Sequence, residues 1–400
     1  MRLDKQIRLA FLLGSGISIP AGMPSTRDIT KQVLSGEGIR RNNDETYCFG
    51  APLYAYVGIP DEYVPRIVIF LNRLKIEIDL YYLYQIGRFL NYEDLYYVVG
   101  QIHDSELRDY DNPAVQPFID KILPDIRHLL KKRKNEYKLA WRLHELAGEA
   151  MNYIVDIVWH MLNKEPSQVD HLNSLREACI DSQVTHVDIF TLNHDTVIER
   201  CFSQNGVRVT DGFDEPLNEV RYWNPGKFED NSSKVRLFKL HGSLNWFWFR
   251  SLNGNSYNVI LGIPLGRDIQ HTNDPQGKMQ ILHDGRPLLL AGTFNKMLRY
   301  TSGIYAHLHY QFFRSLYKNQ RLVVCGYSFS DRGINNHIVD WMYSSSDHRI
   351  VIIHPEPEKL KSPSRISKYW DEWTQQNRLI IIPKPIEKTS WDDIKNNAYT

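Results

Sequence analysis

The segment Ile7–Leu13 (IRLAFLL) constrains this chain most. It is a short apolar run that stops at Gly14-Ser15-Gly16 and is followed by helical spacing from about Thr26 to Leu34. A continuous apolar run of this length, bounded by a glycine turn, reads as a strand buried on both faces. Strand, glycine turn and helix in succession open a nucleotide-binding α/β unit. The pattern returns later in the chain. HVDIFTLN leads into the helix DTVIERCFSQ, and VRLFKLHG, PLLLAGT, RLVVCGYSF and RIVIIHP are further β-rich runs, each stopped by Gly, His or Pro. IYAHLHYQFFRSLYKN and INNHIVDWMYSS read as helices between them, and RLIIIPKP as an edge strand ended by Pro383 and Pro385. The expected class is α/β, a mostly parallel sheet with helices on both faces.

From Arg40 to Gln183 the character changes. FLNRLKIEIDLYYLYQIGRFL and EYKLAWRLHELAGEAMNYIVDIVWHML carry Leu, Tyr and charged residues at helical spacing, with a loop at DNPAVQP. The expected organisation is a catalytic core of residues 1–39 and 184–400, interrupted by a mainly helical insertion, 40–183, suited to oligomer or partner contacts. With 48 basic against 47 acidic side chains, there is no footprint for direct nucleic-acid binding. The basic run Lys131–Lys134 reads as a solvated helix face. The apolar stretch Leu9–Leu13 is shorter than the roughly 7–15 residues of a secretory core or the roughly 20 of a spanning helix. A cytoplasmic protein without a membrane anchor is expected. The four cysteines form no C-x-x-C pair, so neither a zinc ribbon nor a disulfide framework is expected, and no metal.

Polar and glycine residues gather at the predicted strand ends, where ligands bind in open α/β sheets. Gly14, Gly16 and Gly22 would let backbone approach a pyrophosphate, with amides and a helix N-terminus supplying donors. Asn193 and Asp195 end the strand HVDIFTL; they also fit a local role as turn and N-cap residues of the next helix. His241 ends VRLFKL, and its type suits proton transfer near neutral pH. Gly326 and Ser328 follow RLVVC, and His354 closes RIVII.

These strings resemble the sirtuin family. Over Gly14–Arg27 the family pattern is G-A-G-x-S-x-x-A-G-I-P-D-F-R. Gly14, Gly16, Ser18, Ala21, Gly22, Pro24 and Arg27 match it, Met23 replaces Ile conservatively, and Ser15, Ser25 and Thr26 depart from it. Thr191-Leu192-Asn193-His194-Asp195 resembles the family's T-Q-N-I-D motif, Lys239-Leu240-His241-Gly242 its catalytic histidine, and Cys325-Gly326-Tyr327-Ser328 its G-T-S loop. His354 stands where sirtuins usually carry Asn.

The resemblance implies a Rossmann-like core that binds NAD as substrate. Asn193, His241 and Asp195 take the catalytic positions; Gly14, Ser15, Gly16, Ser18, Ala21, Gly22, Arg27, Thr191, Gly326, Ser328 and His354 hold the dinucleotide. It implies that Asn193 holds ribose and water, that Asp195 accepts from the nicotinamide carboxamide, and that His241 takes a proton. K-L-H-G-S-L-N-W and C-G-Y-S-F-S-D look like the bacterial anti-phage defence branch. That branch implies an NAD hydrolase releasing nicotinamide and ADP-ribose, gated by assembly as a homo-oligomer or with a HerA-type ATPase. Two alternatives stay open: an NAD-dependent deacylase or ADP-ribosyl transferase, and a quiet NAD- or ADP-ribose-binding regulatory subunit.

Overall fold

The computed structural model describes residues 7–50, 62–109, 112–130, 141–230, 233–252, 259–361 and 366–399. Lys131–Lys134 and part of the DNPAVQP segment lie outside them. By its contacts the chain forms two compact units, one of residues 1–23, 164–290 and 297–400, the other of 24–163 and 291–296.

The first unit is built on a six-stranded parallel sheet. Its strands are β1 (Ile7–Leu13), β2 (Val184–Thr191), β3 (Val235–Lys239), β4 (Arg321–Cys325), β5 (Arg349–Ile353) and β6 (Leu379–Ile382). Their spatial order is β6-β5-β4-β1-β2-β3, every pair parallel. This is the doubly wound Rossmann order. It reverses direction between β1 and β4, opening a crevice at the carboxyl ends of those strands. Leu9 to Leu13 are all buried, as a strand covered on both faces requires. β6 ends at Ile382, before Pro383, as the edge-strand reading expects.

Two departures from the sequence reading concern strands. PLLLAGT forms no strand; Leu289 makes a single bridge to Gly242. A separate five-stranded antiparallel sheet, unforeseen, is built from 220–222, 247–251, 259–264, 271–273 and 279–282. Its strands are only three to six residues long, so no long apolar run announces them.

The second unit is mainly helical: α1 (Thr26–Ser35), α2 (Tyr63–Gln85), α3 (Tyr92–Leu107), α4 (Val115–Ile126) and α5 (Leu143–Leu162). In α5, Leu143, Leu146, Ala147, Ala150, Tyr153, Ile154, Ile157 and Val158 are buried, the stripe that a central helix of a bundle presents. A hairpin of 39–41 and 47–49 packs on it. Buried Asp156 accepts from Tyr47 N at 2.9 Å, and Arg41 meets Glu149 at 2.8 Å. The contact boundaries fall at 23/24 and 163/164, whereas the change in sequence pattern lies at 39/40 and 183/184. The reason is packing: α1 lies on α5, α2 and α3, with Tyr153 Oη donating to Val33 O at 3.0 Å.

In the sheet unit, α6 (Asn173–Ile180) packs on β2, while α8 (Gly303–Lys318) packs on β1 and β3 and touches α9 (Arg332–Ser344); α10 (Trp391–Tyr399) covers β4, β5 and β6. α7 (Val197–Gln204) follows the β2 loop and also belongs to this unit. An ion pair joins the neighbouring strands β2 and β3. Asp188 and Arg236 face each other in the β2–β3 register, with contacts of 2.7 and 2.9 Å, and Ser315 of α8 donates to the same carboxylate at 2.5 Å.

Candidate active site

The crevice predicted by the strand order is lined by loops that tie one another down. Gly14 N donates to Cys325 O at 3.0 Å, and Gly16 N to Gly326 O at 2.9 Å. The glycines are needed because the two backbones touch. A Cβ on Gly14 would lie 2.5 Å from Gly326 O, and one on Gly326, whose φ is +65°, would lie 2.5 Å from Ile17 N. Here the close approach is therefore first one of loop to loop.

From Gly14 to Met23 most amides are paired internally, with Ile17, Ser18, Ala21, Gly22 and Met23 all donating within the loop. Ser15 and Gly16 are exposed, Ser18 and Ala21 buried, and Gly22 exposed with φ +83°. Ala21 O accepts from Ser167 N at 2.8 Å. Arg27 is exposed on the first turn of α1, in the helical unit. The N-terminus of α1 was expected to serve an anion. It is instead closed by its own capping box: Ser25 Oγ accepts from Asp28 N at 3.2 Å, and Asp28 Oδ2 accepts from Ser25 N at 3.0 Å. Asp28 thus sets a carboxylate at the positive end of α1.

Asn193 is 5% exposed. Its Nδ2 donates to Gly14 O at 3.2 Å and to Ser18 Oγ at 3.0 Å, which joins the β2 loop to the β1 loop. Its Oδ1 is buried without a hydrogen-bond partner among the described residues. Such an acceptor costs on the order of 1–3 kcal/mol unless something donates to it. The local alternative for Asn193, a helix cap, is not what its side chain does. Asp195 does act locally: its Oδ1 accepts from Val197 N at 3.1 Å. Thr191 Oγ1 likewise accepts from Asn193 N at 3.1 Å.

His241 is buried at the end of β3. Its loop is laced to the β2 loop, since His194 O accepts from Leu244 N at 3.0 Å. The His194 and His241 rings lie 6.4 Å apart. His241 Nε2 lies 2.9 Å from Tyr300 Oη and 3.2 Å from Asp331 Oδ2, in the loop after β4. The four loops after β1, β2, β3 and β4 thus form a closed ring of mutual contacts, through Asn193, His194, His241 and Gly326.

Beyond this ring the expected cofactor residues are spread. Ser328 is exposed and donates to Ser330 Oγ at 3.1 Å. His354 is half-buried; its Nδ1 accepts from Glu356 N at 3.0 Å, and burial lowers its pKa. Residues that sequence reasoning missed are Tyr300, Asp331 in a side-chain role, and His171, whose Nε2 meets Ile17 O at 2.8 Å beneath the glycine loop. Burial lowers the His171 pKa and so favours the neutral ring. No local pattern marks Tyr300 or His171. Asp331 directly precedes α9, and its Oδ1 accepts from Ile334 N at 3.0 Å.

Cys179, Cys201 and Cys325 are buried, and burial pushes their thiols up to about 12, 11 and 12. Among the described residues no group of three or more His, Cys, Asp or Glu is placed to hold a metal. Among them, too, no helix is long and apolar enough to cross a membrane.

Residues 187–377 match the family model of the SIR2-like domain. A comparison with curated proteins gives no match. Among solved structures, the chain is similar to a Sir2 homologue mutant in complex with ADP-ribose, at 10% identity over 99% of this chain and 93% of that one, TM-score 0.38. It is similar to a Sir2 homologue–NAD complex at 11% identity over 98% and 90%, TM-score 0.36. A Sir2 protein bound to a propionylated peptide matches at 10% identity over 98% and 94%, TM-score 0.34.

Proposed function

We propose that this protein hydrolyses NAD at the nicotinamide–ribose bond, giving nicotinamide and ADP-ribose. The observation that carries the reading is the Oδ1 of buried Asn193, unpartnered among the described residues, on a side chain tied to the glycine loop at the Rossmann switch point. A buried acceptor held by its own amide nitrogen is pre-oriented to receive a hydroxyl or a water. The SIR2-like match over 187–377 includes Thr191, Asn193, Asp195, His241, Gly326, Ser328 and His354, while the glycine string Gly14–Arg27 lies outside it.

In this reading, the exposed backbone at Ser15 and Gly16, with Gly22, Gly326 and Ser328, borders the dinucleotide, and His354 borders its adenosine side. Arg27 joins this set by sequence resemblance alone. Asn193 Oδ1 holds a ribose hydroxyl or the attacking water, and His241 accepts a proton. Asp195 retains one carboxylate oxygen for the carboxamide while the other holds the start of α7. Orientation and fixed dipoles supply most of the rate.

An enzyme that consumes NAD needs restraint, and we assign that to assembly through the helical insertion, as a homo-oligomer or with a HerA-type ATPase in cytoplasmic anti-phage defence. A row of exposed apolar side chains on α2, Ile69, Ile76, Leu80, Leu83 and Tyr84, supports an assembly surface there. The ATPase and the defence role rest on sequence resemblance alone.

The test is NAD loss with product identification for wild type, Asn193→Ala and His241→Ala, across protein concentrations that span assembly. Hydrolysis in the wild type, reduced about 100-fold or more in both variants, is expected. Nicotinamide release that requires an acylated peptide would replace this reading with the deacylase. Tight ADP-ribose binding without turnover in any assembly state would replace it with the regulatory subunit.

A further inference from the structure

We propose that Asp331 and Tyr300 are positioning residues that fix His241 as the Nε2–H tautomer, so that the ring's basic nitrogen is Nδ1. The inference deepens the proposed role of His241 and rests on it. Three distances carry it: Tyr300 Oη to Asp331 Oδ2 at 2.5 Å, His241 Nε2 to Tyr300 Oη at 2.9 Å, and His241 Nε2 to Asp331 Oδ2 at 3.2 Å. A tyrosine has one proton, and the shortest contact places it on the bond to the carboxylate. Tyr300 Oη then has only lone pairs to offer Nε2, and a carboxylate accepts only. Tyr300 and Asp331 both face Nε2 as acceptors, so Nε2 carries the hydrogen and the neutral ring keeps its lone pair on Nδ1.

The surroundings hold this arrangement rigid. The Tyr300 ring stacks on the buried His309 ring at 3.6 Å. A Cβ at Gly333 would come within 2.6 Å of the Tyr300 ring, so the glycine leaves that ring its place. Asp331 is pinned through its backbone: its N donates to Tyr327 Oη at 3.2 Å, and Tyr327 in turn donates to Asn335 Oδ1 at 2.8 Å. Its other carboxylate oxygen, Oδ1, caps α9. One aspartate therefore starts a helix with one oxygen and orients a histidine with the other. An oriented base with a fixed tautomer avoids the loss of rate that a wrong tautomer causes.

Two variants separate this role from folding. Asp331→Asn keeps a side chain that caps helices as well as Asp does, and Tyr300→Phe keeps the ring. The histidine tautomer is read by nitrogen NMR on full-length protein labelled with 15N-histidine, His241 being identified by the signal lost in His241→Gln. The wild type is expected to show His241 with hydrogen on Nε2 at neutral pH, and Asp331→Asn to show a mixture. Under assembly conditions where the wild type turns over NAD, Asp331→Asn is expected to lower kcat about 100-fold with KM within threefold, Tyr300→Phe to lower it less, and Asp331→Glu to restore part. A wild-type ring with hydrogen on Nδ1, or a kcat of Asp331→Asn within threefold of wild type, overturns the inference. Should the wild type not consume NAD at all, the hydrolase reading falls, and the tautomer measurement still decides this one.

Discussion

At the scale of single residues, the glycines of this site act on each other. Gly326 sits at φ +65°, and an added Cβ would collide with Ile17 N, Gly14 O and Gly16 C. Left-handed backbone costs a non-glycine residue roughly 1–2 kcal/mol, and overpacking roughly 1–3 kcal/mol more. Gly326→Ala is therefore expected to lose about 2–5 kcal/mol of stability, read by urea unfolding. A change under 1 kcal/mol would show that the loops can part at little cost. The strings around Gly14 and Gly326 were legible as loops at strand ends. Their mutual contact was not, because 312 positions separate the two residues along the chain and only the β1–β4 pairing unites them.

At the scale of elements, the strands of the sheet carry a charge where an apolar residue would be usual. Asp188 and Arg236 are almost fully buried and bonded through two oxygens and two nitrogens. Arg236 also donates to Phe228 O at 3.1 Å, so the guanidinium is bonded on two sides. Asp188→Ala would leave that cation buried without its counter-charge, and removing one partner of such a pair costs about 3–5 kcal/mol. Urea unfolding of Asp188→Ala should show this loss; stability within 1 kcal/mol of wild type would mean water reaches Arg236. Element types were readable from the chain: β1, β2, β3, β4, β5 and β6 all fall on runs the sequence marks as strands. The small antiparallel sheet was not, since its short strands depend on partners brought from as far apart as Val220 and Met279.

For the whole molecule, burial sets the response to acid. Burial holds the His309 pKa at about 3, and also lowers those of His171, His337 and His348. Each of these rings has a lower pKa folded than unfolded, so the folded state favours the neutral form. Their contribution to stability is complete above the unfolded value of about 6.5 and is lost as pH falls from there towards the folded value. For His309 alone the loss between pH 7 and 5 is on the order of 2 kcal/mol. His309→Gln should flatten the fall of Tm across that range relative to wild type. Parallel Tm–pH curves for the two proteins would mean that the His309 ring gains a proton as readily folded as unfolded.

The sequence by itself determined the class of fold and the ends of strands where chemistry could sit. Apolar periodicity and glycine turns are local properties, and they place Asn193, Asp195, His241 and Gly326 at strand ends whatever the rest of the chain does. Tertiary structure alone decided which loops meet, that Asn193 turns its amide nitrogen to the glycine loop, and that Tyr300 and Asp331 close on His241. Those contacts depend on strand order and on helix packing, which bring together residues tens to hundreds of positions apart and leave no periodic trace in the chain.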